Sequence, residues 1–191
     1  MEREVILTGI GGQGIQLIAK LLAQAGIDEG KHVMMFGIFK GTIRGGSSES
    51  TVVIADREII APPIVSRTWG VLAMHGEDLP KIVARARPGG VFLVNTSLIA
   101  KSPPRDDLCT IAIPATEIAK ETGNFMGASM IALGAFVAAT GIVPLPALDR
   151  ALGTVLPPHR KKQIDANRAS LVRGAEYVST YGAPAGIQAW A

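Results

Sequence analysis

Residues Leu7–Gly26 read LTGIGGQGIQLIAKLLAQAG, a strand that turns on glycines into a helix. Gly9, Gly11 and Gly14 have the spacing G-x-G-x-x-G, with Gly12 and Gln13 inside the motif. A glycine turn entering a helix offers backbone N–H groups and the positive end of the helix dipole to an anion. In the dinucleotide-binding version, an acidic residue about 20 positions on holds the ribose hydroxyls. Counting on from Gly14 reaches Met34, Met35 and Phe36. Asp28 and Glu29 lie before the second strand, at its wrong end, and Lys40 follows it. Bound NAD is therefore disfavoured. Three readings stay open: a turn that only packs helix on sheet, an anion site, and a stand-alone NAD(P)-binding oxidoreductase.

The chain has 191 residues, enough for one well-cored domain, and 1–191 reads as a single domain without repeats or a dividing linker. Hydrophobic residues make up 48% and charged ones only 18%, less polar surface than a free monomer favours, which points to a partner. The net charge of +3, without aromatics among the basic residues, argues against nucleic acid. One cysteine, Cys109, excludes an internal disulfide or a cysteine-ligated cluster within these residues. The start, MEREVILTG, lacks the apolar core of a secretory signal, so a cytoplasmic location is expected. Residues 123–148 carry no charge, yet they are built of Gly, Ala, Ser and Thr and end at Pro144 and Pro146. Ala128, Ala132, Ala135 and Ala139 share one face, so this stretch reads as a buried helix at a packed interface and not a membrane span.

Periodicity predicts strands at 4–8, 32–37, 48–54, 69–74, 91–95 and 109–113, and helices at 15–29, 79–86, 116–122, 128–140, 145–156 and 161–181. A hairpin is expected from the 48–54 strand through Asp56 and Arg57 into 58–61. A turn is expected at 88–90. The fold class is α/β: a three-layer, Rossmann-like, mostly parallel sheet with a hairpin and a helical C-terminal part.

Beyond the glycines, GIGGQG is followed about thirty residues later by IRGGSSESTVVIADREI, an Arg44-Gly45-Gly46 turn that leads into a strand. At this pair the chain resembles the gamma subunit, or gamma domain, of 2-oxoacid:ferredoxin oxidoreductases. The resemblance continues through RPGGVFLVNTSLI, through IPATEIAKETGNFMGASMIALGAFVAATG with its Asn124, and through NRASLVRGAEY with Asn167, Ala169 and Gly174. It departs at FGIFKGTIRGG, where the family often has an acidic stretch, and at SRTWGVLAMH, where it often has an aspartate. The resemblance implies thiamine-diphosphate enzymes that make acyl-CoA from a 2-oxoacid, with coenzyme A as co-substrate. Nothing here resembles the Gly-Asp-Gly and Asn-Asn pattern that holds Mg-thiamine diphosphate. The resemblance thus places thiamine diphosphate, magnesium and iron–sulfur clusters in partner subunits: an alpha subunit, a thiamine-binding beta subunit, a ferredoxin-like subunit and, as an option, an electron-acceptor subunit.

No catalytic or metal-binding residue is assigned to this chain. The ligand- or interface-binding set is Gly9, Gly11, Gly12, Gln13, Gly14, Arg44, Gly45, Gly46 and Asn124. A guanidinium beside a glycine turn suits a phosphate or carboxylate. His32, His75 and His159 have no second ligand at i+2 or i+4, so no metal site is expected. HRKKQ at 159–163 reads as a solvated helix start or a phosphate contact. Ser47 and Ser48 lack a histidine or acid partner in the pattern of a nucleophile.

Overall fold

The computed structural model of the chain describes residues 1–39, 45–60, 62–100 and 105–187. Arg44, Lys40 and Trp190 lie outside the described residues. Six strands form one mixed sheet: β1 (Glu2–Ile10), β2 (His32–Phe39), β3 (Ser47–Ala55), β4 (Thr68–Ala73), β5 (Ala86–Asn95) and β6 (Cys109–Ile113), in the spatial order β2-β3-β1-β4-β5-β6. The pairs β1–β4, β4–β5 and β5–β6 are parallel. β3 alone runs antiparallel, lying between β1 and β2. Among the described residues six α-helices accompany the sheet: α1 (Ile15–Asp28), α2 (Leu79–Arg85), α3 (Ala115–Glu121), α4 (Ala128–Thr140), α5 (Leu145–Val155) and α6 (Ile164–Tyr181).

The strand period of two sorts side chains onto two faces. Val5, Leu7, Ile54, Leu72 and Leu93 join the core beneath α1, α3, α4, α5 and α6. Ile6, Val71, Phe92 and Val94 point the other way, where Ile82 and Val83 of α2 cover them. The two outer layers are therefore unequal. On the thinner side the Arg85 guanidinium stitches the covering together, donating to Glu49 Oε1 at 2.7 Å and to the Val65 carbonyl at 3.0 Å. Arg87 reaches the buried Glu4 carboxylate at 2.5 Å on the same side.

Three sequence expectations are corrected. Residues 56–60 form no strand, so the hairpin does not turn at Asp56 and Arg57. Both edges of β3 are already taken by β1 and β2, and the antiparallel pair of consecutive strands is β2–β3. Asp56 instead accepts hydrogen bonds from Lys31 Nζ and the Met1 ammonium. The 88–90 turn belongs to β5, where a register shift against β4 accommodates it. The last helix begins at Ile164, and Pro158–Gln163 form a 3-10 turn before it.

The uncharged stretch is α4, buried at ten of its thirteen positions. No helix among the described residues is long and apolar enough to cross a membrane. Phe136 of α4 meets Trp69 of β4 edge-on, with ring centroids 6.2 Å apart. On its far side α4 packs against α6 so closely that a Cβ on Gly134 would strike the Leu171 backbone, and one on Gly174 would strike that of Ile131. The close approach expected of the alanine face is thus made by glycines, inside one chain.

Two outcomes follow. Gly174→Ala forces a methyl into backbone that cannot swing aside, so it should cost at least about 1–3 kcal/mol. By thermal melting that is a fall of roughly 2–4 °C for each kcal/mol in a chain of this size. Separately, hydrogen bonding from Lys31, then from the N-terminal ammonium, lowers the Asp56 pKa to about 2. A depressed carboxyl pKa stabilises the fold above the unfolded value and loses that contribution as pH falls through the folded one. The melting difference between the parent chain and Asp56→Asn should be small at neutral pH and vanish as pH approaches 2.

Candidate functional site

The glycine turn is built by its own backbone. Gln13 folds back: its Oε1 accepts from the Ile10 N–H at 2.9 Å, and its N–H donates to the Ile10 carbonyl at 3.1 Å. Gly9 leaves room for this, since a Cβ there would sit 2.5 Å from Gln13 Oε1 and 2.9 Å from Ile15 Cδ1. The Gly11 N–H donates to the Gly46 carbonyl at 2.8 Å, clipping the turn to the loop before β3. Gly12 and Gly14 have φ of 98° and 79°, which other residues rarely adopt. Gly11 does not have positive φ; its need is space, because a Cβ would lie 3.2 Å from the Gly45 nitrogen. A Cβ on Gly14 would meet Ser129 Oγ of α4 at 2.9 Å and not the sheet.

Gly14 caps α1 without any side-chain hydrogen bond, and the first turn holds no acidic residue. The positive end of the helix is therefore unneutralised. It opens into a cleft of about 690 Å³ between the β1–α1 turn, the start of β3 and the first turns of α4 and α6. Gly11, Gly12, Gly14, Gly45 and Gly46 line it. Gly9 and Gln13 support the turn from behind. Asn124 lies apart from the lining: its Nδ2 donates to the Ala166 carbonyl at 3.3 Å and to Ser170 Oγ at 2.9 Å, tying the turn before α4 to α6.

Sequence reasoning did not assign Gln16, Ser129, Met130, Arg160, Gln163 and Asn167 to this site. Ser129 and Asn167 are 3% and 9% exposed, line the cleft, and make no side-chain hydrogen bond among the described residues. Arg160 has no ion pair among them either. The only sequence signals were the basic run at 159–163 and the asparagine of NRASL. Among the described residues the cleft offers donors and one cation, Arg160, beside apolar Ile10, Ile15, Leu17 and Met130, a setting for an anionic group attached to an apolar body.

The arrangement departs from a dinucleotide site in one decisive way. The ribose carboxylate of that fold follows a parallel strand beside β1. Here the neighbour of β1 on that side is antiparallel β3, and its Ser47 and Ser48 occupy that place. No group of three or more His, Cys, Asp or Glu side chains among the described residues is placed to hold a metal. His75 Nδ1 accepts from the Glu77 N–H at 3.3 Å.

Comparison with known proteins decides the family. Residues 4–177 match the family described as pyruvate ferredoxin/flavodoxin oxidoreductase. The chain belongs to that family. It is 29% identical to 2-oxoglutarate synthase subunit KorC of Methanothermobacter marburgensis, over 83% of this chain and 88% of KorC. It is 34% identical to ketoisovalerate oxidoreductase subunit VorA of the same organism over 72% of this chain, but spans only 28% of VorA. The gamma subunit of a keto/oxoacid ferredoxin oxidoreductase from Geobacter sulfurreducens has the same fold, with a TM-score of 0.79 and 31% identity over 93% of this chain and 99% of that one. KorC and the Geobacter gamma subunit, which match this chain in length, are each single subunits of oxidoreductases that act on oxoacids.

Gly14→Val should lower the melting temperature more than Gly11→Ala. The first adds positive-φ strain of order 1 kcal/mol to a clash with Ser129, whereas the second meets only a tight contact. Equal losses would show that the left-handed conformation at Gly14 carries no strain.

Proposed function

We propose that this chain is the gamma subunit of an enzyme that oxidatively decarboxylates a 2-oxoacid to an acyl-CoA. Its partners are an alpha subunit, a thiamine-diphosphate-binding beta subunit and a ferredoxin-like subunit. The observation that carries the reading is the near end-to-end correspondence with KorC, a lone subunit of such an enzyme, at 88% of its length. One cysteine in 191 residues cannot supply the four thiolates of a typical cluster, in keeping with electron transfer on another chain. Thiamine diphosphate, in the beta subunit, supplies the carbanion chemistry.

The role left to this chain is structural and positional. It stabilises the assembly, and the cleft at Gly11–Gly14 forms one wall of the route taken by coenzyme A or the 2-oxoacid. The uncapped α1 terminus favours a negative group there, and Ser129, Asn167 and Arg160 hold unused donors for it. Gly12 and Gly14 keep the backbone bare, so such a group reaches the N–H groups without meeting a side chain.

The test is assembly and turnover. Purified alone, the chain should not reduce a viologen dye in the presence of 2-oxoacids, coenzyme A, Mg and thiamine diphosphate. Purified from its native source, it should bring with it subunits that carry thiamine diphosphate and iron–sulfur clusters, and that complex should reduce the dye. Robust turnover by the chain alone would sink the reading. Micromolar NAD affinity by calorimetry would favour a dehydrogenase in its place.

A further inference from the structure

The chain holds nineteen basic against sixteen acidic residues, an excess of three. Three consecutive cations, Arg160, Lys161 and Lys162, match that excess in number and sit together on the exposed 3-10 turn before α6. None of them has an ion pair among the described residues. Their neighbours on the same helical side behave differently. Arg150 pairs with Glu29, Arg168 with Asp149 and Asp165, and Arg173 with Glu176. The turn is thus a concentrated, unneutralised positive patch on a surface where arginines otherwise find carboxylates.

Beside it, Phe125 and Met126 are 71% and 76% exposed. The two features belong to one surface, because Met126 and Arg160 line the same cleft with Gln163 and Asn167. The apolar pair does not sit on slack chain. Asn124 anchors its turn to Ala166 and Ser170 of α6, and the Gly127 N–H donates to the Asn124 carbonyl at 2.7 Å. On the other side the Arg160 N–H donates to the Pro157 carbonyl at 2.8 Å, which fixes the basic turn. A pre-ordered surface loses less entropy on binding. An aromatic, a methionine and an arginine are the residue types enriched at the cores of protein interfaces.

We propose that Phe125, Met126, Arg160, Lys161 and Lys162 form a docking surface for a protein subunit that presents carboxylates around an apolar side chain. The inference rests on the gamma-subunit reading and names the chemistry of the partner. Charge complementarity selects the partner and steers its approach, while the apolar pair supplies the desolvated centre. Asn124, assigned from sequence as a binding residue, acts as the strut that holds that centre in place.

The experiment uses the whole enzyme, with its subunits co-expressed and the gamma chain removed and rebound. Two double variants are compared with the parent chain: Phe125→Ser with Met126→Ser, and Lys161→Glu with Lys162→Glu. Both should melt like the parent, since all four side chains are exposed. Loss of the apolar pair should weaken rebinding at least about tenfold at any salt concentration, as expected of a central anchor. Charge reversal should weaken it strongly at low salt and much less at high salt, where screening removes the repulsion. Parent-like rebinding by both variants overturns the proposal. So does intact rebinding with a raised KM for coenzyme A in the lysine variant, which would make the patch a site for a small polyphosphate. If the unsubstituted chain fails to rejoin any subunit, the gamma-subunit reading fails and this surface falls with it.

Discussion

Two helices touch backbone to backbone where α4 and α6 cross, and the candidate site exists because they do. Gly134 and Gly174 remove the side chains that would keep the axes apart. Residues early in each helix, Ser129 on α4 and Asn167 on α6, are thereby brought to the wall facing Gly14. A normal interaxial spacing of about 8–10 Å would widen that wall. Dense packing continues on the other side of α4, where Phe136 fills the space over Gly70 and meets Trp69. The helix is gripped between sheet and α6, so the cleft has one rigid side.

Its other side is rigid for a different reason. The glycine turn has no bulky side chain to hold it, and its order comes from hydrogen bonds. Gln13 closes the turn on Ile10, Gly11 fastens it to Gly46, and Gln16 Nε2 reaches the Glu49 carbonyl at 3.2 Å. A buried polar group without a partner costs about 1–3 kcal/mol, so satisfying these backbone groups internally keeps the turn in one shape. Ser129 and Asn167 stand out against this background. Both residues are largely buried, line the cleft that the α1 N-terminus opens into, and make no side-chain hydrogen bond among the described residues.

β3 decides what the site is not. Inserting an antiparallel strand between β1 and β2 moves the end of β2 one strand, about 5 Å, farther from the glycine turn than in a dinucleotide fold. A glycine fingerprint alone cannot report this, because the spacing G-x-G-x-x-G describes a local turn and says nothing about which strand lies next to it. The missing acid after the second strand was the legible trace of the same fact.

Local patterns in the sequence determined much of the rest. Alternation and helical periodicity placed the six strands and six helices to within a few residues, since the burial that stabilises each element is written into its own repeat. The GIGGQG and RGG stretches were legible as motifs of a family, but that they meet, through the Gly11 N–H and the Gly46 carbonyl, only the structure shows. The small-residue character of α4 was legible too, though not which residues make the close contact. Tertiary structure alone decided the rest. Asp56 was drawn from a hairpin to an ion pair because β3 had strands on both edges. Asn124 became a strut because α6, more than forty residues away, offered it two acceptors. The cleft gained Ser129, Arg160 and Asn167 from helices whose positions depend on two distant glycines. Contacts between residues far apart in the chain follow from how helices pack on a sheet, and no local repeat encodes that geometry.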